Sequence, residues 1–96
     1  MAGWILESSD PPITLRLPVA AVKTVGRTAR ADFVLEAPLV SRIHCRLTAD
    51  DSDQLIVEDL ESRNGTHVNG ERISRAVLRT GDTLTVGRVN FNVLPG

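Results

Sequence analysis

Cysteine is almost absent from this chain: Cys45 is the single one among 96 residues. A lone cysteine excludes an internal disulfide, so the fold must be stable without one, and the sequence is compatible with a reducing compartment. The chain also lacks an apolar run approaching ~20 residues and a basic-then-apolar leader, which predicts neither a membrane span nor a signal peptide. Two histidines and one cysteine without ligand spacing are too few to predict a metal site. We therefore expect an intracellular protein, cytoplasmic or nuclear.

Lysine is nearly as scarce, because Lys23 is the only one and the other ten basic residues are arginines. The formal net charge is -1, which argues against bulk electrostatic binding to nucleic acid or to an acidic membrane. Arginine presents a planar fork of donors that suits carboxylate and phosphate, whereas lysine is a point charge. The composition therefore allows a local anion site on a protein that does not bind polyanions.

Alternation of apolar and polar residues dominates the pattern, as in Ile13 to Leu17, Ile43 to Leu47 and Val89 to Val93. Turn-forming segments separate these runs at short intervals, and no convincing amphipathic helix is present. We predict an all-β fold, an antiparallel β-sandwich, in a single domain over residues 1–96. The alternation places His44 on a strand, and segments 64–70 and 81–88 are predicted to form hairpins.

A catalytic interpretation begins with Ser41 and His44, three positions apart, which could pair as nucleophile and base. No third group obviously orients the imidazole, and no strand–elbow–helix context surrounds the serine. Cys45 alternates onto the apolar face and is predicted to be a buried small hydrophobe. The segment "GRTARAD" lacks the closing Gly-Lys-Ser/Thr of a nucleotide-binding loop. We expect no enzymatic activity.

Five polar residues sit in turns at strand ends, where the loops of a sandwich can converge on one ligand: Arg27, Ser41, Arg42, Arg63 and Asn64. Guanidinium groups, a hydroxyl and a carboxamide together would make an anion pocket with directional donors. Gly65 would let a ligand backbone approach closely. Each residue also has a simpler interpretation, because Asn64-Gly65 is an ordinary hairpin turn and Ser41 alone can cap a turn.

Four motifs occur in order at domain-like spacing, and together they resemble the forkhead-associated (FHA) domain. They are Gly26-Arg27, Ser41-Arg42-Ile43-His44, the run Asn64 to Gly70, and Gly81-Asp82 before a strand. The resemblance spans about residues 13 to 94. It implies a sandwich of about eleven strands of the SMAD/FHA type, whose end loops bind phosphothreonine peptides.

The resemblance also implies roles for individual residues. Arg27 and Ser41 would contact the phosphate, and Arg42 would be a second phosphate-binding cation. Asn64 would hold the peptide main chain. Arg63 stands where some members have Thr or Ser, so it would contact either the phosphate or an acidic peptide residue.

Other motif residues would support the site. Gly26 would form a tight turn, and His44 would brace the loop that carries Ser41. Gly65, Thr66 and Asn69 belong to the same motif and are predicted to support it as well.

The implied function is a phosphothreonine-dependent interaction module that recruits phosphorylated partner proteins in signalling. It would need no cofactor or metal and would contact neither nucleic acid nor membrane directly. Because the chain starts at Met1, we expect an N-terminal module with further domains C-terminal to it. The alternative is an FHA-like module for phosphate-independent interaction or self-association through a sheet face.

Overall fold

Short β-strands make up the regular structure of residues 3–96, which are the residues that the computed structural model describes. In chain order the strands are β1 Trp4–Ser9, β2 Pro12–Leu17, β3 Val22–Gly26, β4 Phe33–Val34, β5 Cys45–Ala49, β6 Leu55–Asp59, β7 Thr66–Val68, β8 Glu71–Ile73, β9 Arg75–Leu78, β10 Thr83–Val86 and β11 Val89–Pro95. No helix occurs among the described residues, and so none there could cross a membrane. The all-β prediction and the expected number of strands are confirmed.

The strands form two sheets. The six-stranded sheet has the order β2-β1-β11-β10-β7-β8, and the five-stranded sheet has the order β4-β3-β5-β6-β9. Neighbouring strands are antiparallel except for β3 and β4, which run parallel with Val25 opposite Phe33. The predicted sandwich is thus confirmed, with one short parallel pair at the edge of the second sheet.

The inner faces of the sheets share one apolar core, because alternate residues on each strand point the same way. In β5, Cys45, Leu47 and Ala49 are fully buried, whereas Arg46 and Thr48 lie on the half-exposed outer face. Burial raises the pKa of the Cys45 thiol to about 12, so the prediction of a buried small hydrophobe is correct.

The turns of both predicted hairpins lie within the segments that the sequence suggested, 64–70 and 81–88. The β7–β8 turn is Asn69-Gly70, with φ of 51° and 85°, whereas Asn64-Gly65 lies in the loop before β7. The two Asn-Gly pairs lie five residues apart. Only Asn69-Gly70 is flanked on both sides by strand residues that pair with each other, in β7 and β8. The β10–β11 turn falls at Gly87-Arg88, at the end of segment 81–88.

Loops from both sheets gather at one end of the sandwich, opposite the described chain termini. Gly96 donates a backbone hydrogen bond to Gly3 at 3.0 Å, which closes the far end. Strand β11 leads from there to Gly87 at the near end. A Cβ added to Gly87 would lie 2.9 Å from the carbonyl oxygen of Pro38, so the β10–β11 turn packs directly on the loop between β4 and β5.

Truncating the centre of the second sheet should destabilise the fold. Leu47 is 0% exposed and lies between Lys23 and Val57 of the neighbouring strands. We expect Leu47→Ala to lower the free energy of unfolding by about 2–5 kcal/mol, through lost burial and the cavity that remains. Thr48→Ala, one residue along on the outer face, should change it by less than ~0.5 kcal/mol. Urea denaturation of the two variants measures the contrast, and equal losses would contradict this placement of the core.

Candidate functional site

The gathered loops enclose an open depression of about 690 Å³. Its lining consists of Arg27, Leu39, Val40, Ser41, Arg42, Ile43, Arg63 and Asn64. These residues come from the β3–β4, β4–β5 and β6–β7 loops, which belong to different parts of the chain. The structure therefore brings together all five residues that the sequence singled out for ligand contact.

Ser41 joins the three loops through its backbone and its side chain. Its carbonyl accepts a hydrogen bond from the Arg27 amide at 2.9 Å, and its Oγ accepts one from the Arg63 amide at 3.0 Å. The Ser41 hydroxyl makes no hydrogen bond as a donor within residues 3–96. A hydroxyl has one proton to donate besides its acceptor lone pairs, so this proton is available to a ligand in the depression.

His44 fixes the position of Ser41 from beneath. The imidazole is fully buried; its Nδ1 accepts a hydrogen bond from the Ser41 amide at 3.1 Å, and its Nε2 lies 2.9 Å from the carbonyl oxygen of Gly65. Because the first partner is a donor and the second an acceptor, the bonding pattern assigns the neutral ring with its proton on Nε2. The ring therefore ties the β4–β5 loop to the β6–β7 loop.

This arrangement differs from the sequence-based expectation in one respect, since strand β5 begins at Cys45 and His44 precedes it. The ring consequently turns inward, where an alternating strand would have turned it toward solvent. Its Nδ1 bonds to the Ser41 backbone and its Nε2 to Gly65, so neither nitrogen is bonded to the Ser41 hydroxyl as a nucleophile–base pair requires.

Gly26 lies at the end of β3, where the chain crosses the β4–β5 loop. A Cβ at this position would lie 2.1 Å from the Arg42 carbonyl oxygen and 2.9 Å from the Ile43 Cα. Gly26 is the last residue of strand β3, so the structure places it in the strand and not within the tight turn that the sequence suggested. The glycine is required because two backbone segments meet here with no room for a side chain.

Three guanidinium groups surround the depression without acidic partners. Arg27, Arg42 and Arg63 are exposed, and none has a carboxylate within 4.0 Å among residues 3–96. In that part of the chain the recorded ion pair is Arg46–Glu58, on the outer face of the second sheet. The loop backbones are held by hydrogen bonds while the charged ends remain free, which suits an anionic ligand.

A second group of polar side chains supports the β6–β7 loop; the sequence interpretation named Thr66 among them but missed Asp59 and Ser62. The Asp59 carboxylate accepts hydrogen bonds from the hydroxyls of Ser62 and Thr66, and Ser62 Oγ accepts one from the Gly65 amide at 3.0 Å. Burial raises the pKa of Asp59, but the bonds from Ser62 and Thr66 outweigh it and hold that pKa below its usual range. The Asp-x-x-Ser spacing, which allows an aspartate to bond the residue three positions on, was the available signal.

Leu39 was missed too, and no residue pattern indicated its conformation. Its φ is 70°, unusual for a residue with a branched side chain, and the side chain is 44% exposed. The Asn64 side-chain amide donates a hydrogen bond to the Leu39 carbonyl at 3.1 Å. Asn64 therefore links two loops and keeps its carboxamide oxygen as an acceptor for a ligand.

Two further predicted support residues lie at different ends of β7. Thr66 is fully buried beside Asp59, where it stabilises the loop that carries Arg63 and Asn64. Asn69 follows the other end of the strand, and its side chain bonds Asp82 at 3.1 Å and the Thr83 amide at 2.9 Å. Asn69 therefore joins the β7–β8 turn to the start of β10, remote from the depression.

An all-β sandwich of eleven strands in two sheets is the fold of FHA domains, a class of protein-interaction modules. This chain belongs to that family: the model of the FHA domain matches residues 23–87.

Two relatives and two solved structures illustrate the similarity. The ABC transporter ATP-binding/permease protein Rv1747 of Mycobacterium tuberculosis is 38% identical over 79 residues, which are 82% of this chain and 9% of that protein. The transcriptional regulatory protein EmbR of the same species is 40% identical over 68 residues, 70% of this chain and 17% of EmbR. The structure of EmbR in complex with a low-affinity phosphopeptide has a TM-score of 0.87 at 31% identity, covering 99% of this chain and 25% of that one.

A second solved structure comes from a structural and functional analysis of phosphothreonine-dependent FHA domain interactions. It has a TM-score of 0.86 at 29% identity and covers 96% of this chain and 95% of that one. Both relatives are much longer proteins, and this chain spans only 9% and 17% of their lengths.

Acid should weaken the β6–β7 loop through Asp59. Because the pKa of this carboxyl is lowered by folding, the stabilisation is present above its unfolded value of about 4 and is lost as pH falls through the folded value. We expect Asp59→Asn to be less stable than the wild type at neutral pH and to approach it under strong acid. Urea midpoints measured at both pH values test this. A gap between the two proteins that stays constant with pH would contradict the prediction. Asp32 and Asp50, whose pKa values are also lowered, are unchanged in the variant, so they do not contribute to the difference between the two proteins.

Proposed function

We propose that this domain is a phosphothreonine-dependent interaction module that recruits phosphorylated partner proteins in signalling. The observation that carries the proposal is the Ser41 junction: within residues 3–96 the Ser41 hydroxyl has no acceptor for its proton, and it lines a depression with three unpaired guanidinium groups. A phosphate monoester brings about −1.5 to −2 charges and three acceptor oxygens near neutral pH, which matches these donors. The phosphopeptide complex of EmbR supports the same use of the fold.

Each lining residue has a proposed task. Arg27 and Arg42 bind phosphate oxygens, and the Ser41 hydroxyl donates a short hydrogen bond to another. The backbone amide of Arg63 donates a hydrogen bond to Ser41 Oγ, so the Arg63 guanidinium reaches either the same phosphate or a neighbouring acidic group. Asn64 holds the peptide main chain with the carboxamide oxygen that its bond to Leu39 leaves free. Gly26 and His44 hold the loops in place.

We also propose that the chain acts as one intracellular domain without enzymatic activity. The shared core extends from Leu6 to Val93, which supports a single folding unit over residues 1–96. The description of EmbR as a transcriptional regulatory protein supports an intracellular role. Both nitrogens of His44 are engaged in scaffold hydrogen bonds, which supports binding over catalysis.

Removing single phosphate contacts should weaken binding without unfolding the protein. Charge-assisted hydrogen bonds contribute roughly 1.5–3 kcal/mol, so Arg27→Ala, Ser41→Ala and Arg42→Ala should each reduce affinity about ten- to a hundredfold. Calorimetric titration with a phosphothreonine peptide selected from a library measures this. Arg79→Ala serves as the control, because Arg79 is exposed near the start of β10 at the far end of the sandwich.

Two results would decide against the phosphate pocket. Unchanged affinity in Arg27→Ala would show that the loop site is not used. Equal binding of phosphorylated and unphosphorylated peptide by the wild type would instead favour a phosphate-independent contact through a sheet face.

Phosphothreonine should bind more tightly than phosphoserine. The two ligands carry the same phosphate and differ by one methyl group, whose burial contributes about 0.8 kcal/mol. The β-branched side chain is also stiffer about χ1 and loses less freedom on binding. We expect a preference of roughly tenfold, measured with two peptides that differ only in this methyl group. Equal affinities that fall together with added salt would indicate an open electrostatic site without a shaped pocket.

A further inference from the structure

Arg72 is a cation that lies outside the four sequence motifs and does not itself line the depression. It lies on β8, yet its side chain crosses the backbone of Gly65, the residue after Asn64. A Cβ at position 65 would lie 2.8 Å from the Arg72 Nε, 3.1 Å from its Cζ and 3.2 Å from its Cδ. Any larger residue at position 65 would displace the guanidinium from this place.

Strand register explains the direction of the side chain. Arg72 is directly opposite His67 in the β7–β8 pair, and its side chain extends to Gly65, which directly precedes β7 and is two residues nearer the loops. Long side chains can reach neighbours at this spacing. The Arg72 guanidinium therefore lies toward the start of β7, the end of the strand that follows the lining residue Asn64.

Arg72 also lacks an acidic partner. The residue is exposed, and no carboxylate lies within 4.0 Å of it among residues 3–96. An internal ion pair therefore does not explain why the Arg72 guanidinium lies along the backbone of Gly65. The arrangement leaves the guanidinium free for an external anion.

The charge of the site exceeds the charge of one phosphate. Arg27, Arg42 and Arg63 carry three positive charges around the depression, and Arg72 adds a fourth against Gly65, the residue that follows Asn64 of the lining. A phosphothreonine supplies only about −1.5 to −2. A ligand with a second anionic group would balance the remaining charge, and that group would meet Arg72 where the peptide passes Asn64 and Gly65.

We propose that Arg72 is a specificity-determining residue that selects phosphothreonine peptides carrying an additional acidic side chain, Asp or Glu, near the phosphate. The inference rests on the proposed phosphothreonine binding. The proposal also gives Gly65 a second role, because the absence of a side chain at position 65 lets the Arg72 guanidinium lie beside the place where the bound peptide would pass. It also separates the cations by role, with Arg27 and Arg42 on the phosphate and Arg72 on the flanking acid.

A matched pair of variants separates charge from packing. Arg72→Met keeps an unbranched apolar stem over Gly65 but removes the charge, whereas Arg72→Lys keeps the charge with a different donor geometry. Arg79→Met removes a charge at the far end and serves as the control. Thermal unfolding of all the variants checks that the fold is intact.

The ligands are phosphothreonine peptides in which a single Glu is moved one position at a time along both flanks, each compared with Gln at the same place. For the wild type we expect Glu to bind about two- to fivefold more tightly than Gln at one or two positions, which is the range of exposed charge pairs. Arg72→Met should lose this preference, and Arg72→Lys and Arg79→Met should retain it. The preference should shrink with added salt.

Failure of this inference differs from failure of the proposed function. If Arg72→Met retains the full Glu preference, or if the wild type prefers Glu nowhere, the role of Arg72 is refuted although phosphate dependence remains. If the wild type binds unphosphorylated peptides equally well, the proposed function itself is refuted. Loss of the Glu preference in Arg72→Met, with phosphate dependence kept in every variant, supports the assignment.

Discussion

The buried imidazole of His44 is the contact on which the arrangement of the binding loops depends. It accepts a hydrogen bond from the Ser41 amide, and its other nitrogen bonds the Gly65 carbonyl, so it joins loops that are more than twenty residues apart in sequence. Since the ring is fully buried, losing either bond would leave an unsatisfied polar group away from water, which is costly. The positions of Ser41, Arg63 and Asn64 relative to one another follow from this bridge.

The site separates its scaffold from its ligand-binding groups. Backbone amides of Arg27 and Arg63 are held by the carbonyl and the hydroxyl of Ser41, while their guanidinium ends have no acidic partner in the described structure. Fixing the backbone lowers the entropy that a ligand must remove on binding. Leaving the charges unpaired means that an anion does not have to break existing ion pairs. Both features favour tight binding by a small surface.

The sequence predicted the fold class and the members of the site for a physical reason. Alternation with a period of two reports which face of a strand is buried, and polar residues at strand ends fall on loops that gather at the ends of a sandwich. Local patterns could not show whether Asn64-Gly65 or Asn69-Gly70 forms the hairpin turn, because this depends on which flanking residues pair as strands. Nor could they reveal the left-handed Leu39, whose conformation is held by Asn64 and Gly87 from elsewhere in the chain. Tertiary contacts decide such features.

Gly26 and Gly65 both allow another group to approach the backbone closely, but the group differs between the two positions. At Gly26 the absent side chain admits backbone, the Arg42 carbonyl, so the position is closed to every other residue. At Gly65 it admits the end of a flexible side chain, Arg72, although a φ of 89° also favours glycine there. The first contact sets where the Ser41 loop lies, and the second sets where a cation lies. The charge beside Gly65 therefore depends on residue 72 and can change without altering the scaffold, since Arg72 is exposed and makes none of the hydrogen bonds that hold the loops.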